Sequence, residues 1–106
     1  MANPYAGEVA IWLDGERRVA KLTLGALAEL EVALETGSLI DLVERFEARR
    51  FTTRDVLALI VAGLRGGGWQ GVAADLRTVE IGGGPVEAAR AAAELLARAF
   101  SLPGDR

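Results

Sequence analysis

The sequence predicts an α+β fold, mainly α: an N-terminal β-hairpin followed by a small bundle of four or five helices. Residues 7–23 alternate apolar and polar on either side of Asp14-Gly15, the pair that a tight hairpin turn needs. From Leu24 onward apolar residues recur at helical spacing, punctuated by Thr, Ser and Gly at the places where helices start and stop. The 106 residues leave room for one core, so the expectation is a single domain over 1–106. Its parts are a hairpin (7–23), a helical body (24–100) and a frayed tail (101–106).

In the hairpin, Val9, Ile11 and Leu13 form the first apolar set, and Val19, Ala20 and Leu22 follow in the second strand. Two registers compete. A two-residue loop pairs Leu13 with Glu16; a four-residue loop gathers Val9, Ile11, Leu13, Ala20 and Leu22 on one face. The second buries more apolar surface and is favoured, since a one-residue slip reverses every side chain. Two strands alone are marginal in water, so the hairpin must rest on helices or on another subunit.

The first helix is expected from Leu24 to Thr36, capped by Thr23 and stopped by Gly37. Leu27, Leu30 and Leu34, beside Ala26 and Ala33, form its stripe, and Glu29, Glu31 and Glu35 face water. Ser38 caps a second helix through Ser-Leu-Ile-Asp, with Ile40, Val43 and Phe46 inward and Arg45, Arg49 and Arg50 near its C-terminus. The third helix has the clearest start: Thr52 and Asp55 at N-cap and N3, Phe51 and Val56 as a hydrophobic staple. Its run VLALIVAGL is apolar almost all round and reads as the central buried helix. A short helix over Val72 to Val79 follows, with Trp69 at its entry and Val72, Leu76 and Val79 inward. The last helix opens at Gly84-Pro85 with Glu87 in its first turn and runs to about Phe100. Val86, Ala89, Ala93, Leu96 and Phe100 form its expected stripe, and its seven alanines between 88 and 99 make a thin side-chain layer.

Composition narrows the chemistry. Hydrophobic residues make up 51% and charged residues 25%, an ordinary globular balance. There is no cysteine and no histidine, which removes disulfides, thiolate chemistry and the usual proton shuttle and zinc ligand. The net charge is −3 and the cations are scattered, against nucleic-acid binding. No apolar run approaches the ~20 residues of a membrane span. The N-terminus lacks the basic region and apolar stretch of a signal peptide, so the expected location is cytoplasmic.

Gly66, Gly68 and Gly71 in GGGWQG match the dinucleotide spacing G-x-G-x-x-G. The motif fails on context, because a helix rather than a strand precedes it. Gly66 is instead placed to end the third helix in a left-handed conformation. The carboxylates read as solvated faces, and no catalytic, cofactor-binding or metal-binding set emerges. FTTRDVLALIVAGLR is too apolar for the reading helix of a helix-turn-helix. The candidate partner-binding residues are Trp12, Trp69, Leu96 and Phe100. Trp69 reads equally as a lid on the domain's own core.

With these elements placed, G-E-V-A-I-W-L-D-G, L-T-L-G-A-L-A-E-L-E, L-x-x-R-F, T-x-R-D-V-L-A-L and G-L-R-G-G-G, in that order over Gly7 to about Phe100, resemble the small tail-assembly chaperone-like proteins of gene transfer agents and related long-tailed phages. The resemblance implies a non-enzymatic assembly factor without cofactors. It implies binding to the tape-measure protein, recruitment of tail-tube protein, and release from the finished particle. Two alternatives stand beside it: a structural tail or connector component retained in the particle, which mass spectrometry of purified particles tells apart, and a small regulatory adaptor whose hairpin augments a partner sheet. Self-association of the chain is compatible with each.

Overall fold

A computed structural model describes residues 7–34 and 38–100. It contains the hairpin, β1 (Val9–Leu13) and β2 (Glu16–Ala20), then α1 (Leu24–Ala33), α2 (Leu39–Glu47), α3 (Thr53–Gly66), a 3₁₀ turn (Ala73–Leu76) and α4 (Gly84–Ala99). The α+β, mainly α architecture is therefore as the sequence predicts. The expected stop of the first helix at Gly37 and the frayed tail 101–106 lie outside the described residues.

The hairpin corrects the favoured register. Leu13 pairs with Glu16, Ile11 with Arg18 and Val9 with Ala20, so the loop has two residues. Asp14 and Gly15 both take positive φ, 49° and 82°, the type I′ geometry whose twist matches the strands. This local preference outweighs the larger apolar face of the longer loop. The hairpin recovers burial from α3 and α4: Val9, Ile11, Leu13 and Ala20 are all core residues.

Both long edges of the hairpin are occupied in part. On the β1 side, Leu13 bridges Ile81, the Gly82 N–H donates to the Trp12 carbonyl at 2.9 Å, and the Asp14 N–H donates to the Glu80 carbonyl at 2.8 Å. The Asp14 carboxylate accepts from the Glu80 N–H at 2.9 Å, closing the join. On the β2 side the end of α3 lies against the strand, and the Lys21 N–H donates to the Gly63 carbonyl at 2.8 Å. A Cβ at Gly66 would sit 2.0 Å from the Lys21 carbonyl oxygen, and one at Gly67 would sit 1.9 Å from that of Val19. Glycine is what lets helix backbone touch strand backbone here. The left-handed glycine after the helix is Gly68 (φ 106°) and not Gly66, which is still helical.

The helices start where expected. Thr23 accepts from the Ala26 N–H at 3.1 Å. Ser38 with Asp41, and Thr52 with Asp55, form complete capping boxes. The inward faces differ from expectation in three places. In α1, Ala26 and Leu30 are buried, while Ala33 is exposed and the regular helix ends there. In α2 the anchor is Leu42, wholly buried, whereas Ile40 is exposed. In α4 the buried positions are Ala88, Ala91, Ala92, Leu95 and Leu96, and Val86 and Ala93 face out. The expected helix over Val72 to Val79 is only the 3₁₀ turn, with Leu76 buried and Val72 exposed.

α3 is the centre of the core, packed by α1, α4, β2 and the 3₁₀ turn. Leu30, Leu42, Leu59, Ile60, Leu64 and Leu95 are fully buried, each contributing about 1.5–3 kcal/mol of transfer free energy. The alanines of α4 allow a close approach to α3, where Gly63 leaves space for Leu95; a Cβ there would be 2.7 Å from Leu95 Cδ1.

Candidate interaction surfaces

The described residues hold no group of three carboxylates arranged to bind a metal, and no helix among them is long and apolar enough to cross a membrane. The features with functional potential are exposed apolar side chains, grooves and charged faces.

Trp12 lies on the outer face of β1, opposite Arg17 of β2, and is 48% exposed. Its polypeptide neighbour is Gly82, where a Cβ would come within 2.9 Å of Trp12 Cβ. Trp69 is different. Its backbone N–H donates to the Leu64 carbonyl at 2.9 Å, and its half-buried ring packs on the core and covers Gly71. Arg65 braces that turn, donating to the Gly71 carbonyl at 2.9 Å and to Glu29 at 2.8 Å. Trp69 is thus a lid on its own domain. Leu96 is buried in the core at 4% exposure, so it presents no surface in this fold. Phe100, just past α4, is 43% exposed.

The four candidate residues therefore do not form one site. Sequence reasoning missed other exposed apolar side chains: Leu24, Val32, Ile40, Val72 and Val86. Of these, Leu24 and Val32 share a face of α1 with exposed Ala28, at spacing i, i+4, i+8. The signal was present in LGALAELEVA, a helix apolar on both sides and carrying no cation.

Two open grooves flank α3. One of about 860 Å³ runs between α3, the 3₁₀ turn and the start of α4, floored by Val56, Leu57, Ile60, Leu76 and Ala88. The other, about 430 Å³, lies between α1 and α3 over Leu30, Leu57, Ala58 and Val61, with Glu29, Arg54 and Arg65 at its rim.

Several charged groups form fixed pairs. On α4, Arg90 lies between Glu87 and Glu94, and Arg98 reaches Glu94. The hydrogen bond from Arg90 holds the Glu87 carboxyl below its ordinary range, and the bond to Glu87 raises the Arg90 guanidinium. Between α2 and α3, Arg45 grips Asp55, the buried charged residue among those described.

Residues 6–102 match the family described as phage tail tube protein, GTA-gp10. The chain belongs to that family. Searches of curated proteins and of solved structures found no match. Membership ties this chain to the tails of phages and gene transfer agents, and it corrects the functional expectation. A tail tube protein is a structural component of the tail, which conflicts with a chaperone released before completion. The structural alternative is the one the tail tube family favours.

Proposed function

We propose that this chain is a non-enzymatic structural component of a phage-type tail, retained in the finished particle and acting through protein–protein contacts. The family match across residues 6–102 carries the reading. The fold is consistent with it: polar groups are spent on caps and ion pairs, and large apolar side chains such as Trp12, Leu24 and Val32 stand in solvent. Its proposed partners are copies of itself and neighbouring tail proteins, the tape-measure protein among them. The chain is made in the cytoplasm in this scheme and then built into the tail.

Quantitative mass spectrometry of purified particles tests this. The chain is expected in the tail fraction at a fixed ratio to the other tail proteins. Finding it in the producing cells and not in the particles would overturn the proposal.

A further inference from the structure

We infer that copies of this chain associate head to tail, the hairpin face around Trp12 and Arg17 of one copy seating on the Leu24–Ala28–Val32 stripe of α1 in the next. The inference rests on the structural-subunit reading and names the surfaces that serve it.

The first surface is a large aromatic beside a cation. Trp12 and Arg17 are cross-strand partners on one face of the hairpin, and both are exposed. Arg17 has no salt bridge among the described residues. Trp and Arg are the residue types that most often anchor protein interfaces.

The second surface is apolar and acidic. Leu24 is 84% and Val32 80% exposed, with Ala28 exposed between them. Burying α1 on α3 uses Ala26 and Leu30 and leaves this outer stripe uncovered within the copy. Glu31 borders the stripe, three residues beyond Ala28, and α1 has no basic residue to neutralise it. Glu29 on the other border is occupied by Arg65 at 2.8 Å. Glu31 is thus the carboxylate free to meet Arg17, and the aliphatic stripe is the match for the indole.

The two surfaces sit on different elements. α1 packs on α3, whereas β1 packs on α4. One copy can therefore use both at once. Unlike surfaces meeting between copies make a heterologous contact, which extends into a ring or a stack.

The test is sedimentation velocity on the purified chain over a wide concentration range. The wild type should associate reversibly, more weakly at high salt. Arg17→Glu and Glu31→Arg should each weaken association by at least about tenfold, as should Trp12→Ala. An equal mixture of the two charge variants should restore it, because each variant's altered surface then meets an opposite charge. All three positions are exposed, and far-UV circular dichroism verifies folding. A wild type that stays monomeric overturns the inference, as do folded variants that associate like wild type or a mixture that fails to recover. None of these results bears on whether the chain is found in particles, which the mass spectrometry reads separately.

Discussion

Arg45 and Asp55 lock the second helix to the start of the third through paired bonds, Nε to Oδ2 at 3.0 Å and Nη2 to Oδ1 at 2.9 Å. The same carboxylate accepts from the Thr52 N–H at 3.0 Å, so one side chain caps α3 and anchors α2. Phe46 and Phe51 stack beside it, centroids 4.4 Å apart. Asp55→Ala should cost about 2–4 kcal/mol, since it removes a cap and leaves a partly buried guanidinium unpaired; urea unfolding at pH 7 measures it.

The same pair sets an acid limit. Burial alone would push the Asp55 carboxyl up, but the bonds from Arg45 and Thr52 and the Arg45 charge outweigh it and hold the group below its ordinary value. The unfolded chain therefore takes up this proton first. The stabilisation is complete above the unfolded value of about 3.9 and is lost as pH falls through the lower folded value. Unfolding curves of wild type and Asp55→Asn should converge as pH is lowered through that window.

Gly67→Ala should destabilise the fold although alanine favours helix. The new methyl meets the Val19 carbonyl and must push β2 away from α3, at about 1–3 kcal/mol. A lowered Tm is expected, and an unchanged Tm would mean that the strand and helix backbones are not in contact.

Arg49 ends α2 with φ 58°, a left-handed conformation unfavourable for a residue with a Cβ. Its exposed side chain carries no salt bridge among the described residues. Arg49→Gly should therefore stabilise the protein, by about 0.5–1 kcal/mol in urea unfolding.

Ile60 is 1% exposed at the middle of α3. Ile60→Asp should abolish the cooperative thermal transition, and Ile60→Val should cost only about 0.5–1.5 kcal/mol.

These predictions follow the division between what was legible in the sequence and what was not. The caps at Thr23, Ser38 and Thr52 were legible because a cap is decided by residues three positions apart. The buried character of α3 was legible because VLALIVAGL leaves no polar side to expose. The hairpin register was not, since alternation suits both loops and the left-handed turn at Asp14-Gly15 decided between them. In α2, Val43 and Phe46 pack against the core as expected, but Ile40 was placed where Leu42 belongs, because the two are equally apolar and the docking of Leu42 depends on the distant core. α4 was displaced by one position because alanine marks no side. The bridge between Leu13 and Ile81 joins segments too far apart in sequence for any local pattern. Among the candidate partner residues, Leu96 is buried as its place on the expected stripe of α4 required, which leaves it no surface for a partner, while Trp12 is exposed on the face of β1 opposite the core-facing residues.

The occupied sides of the hairpin carry one more consequence. A bare two-stranded ribbon would template further strands from any passing copy, and the product would be a cross-β fibre. Here the 80–82 segment and the glycine end of α3 stand in those places, each pinned by backbone hydrogen bonds. Copies held at high local concentration must then join through side chains, in a geometry that side chains can specify and that can stop. Substituting Gly67 would loosen more than one helix contact: it would uncover part of a strand edge that the end of α3 covers in the native chain.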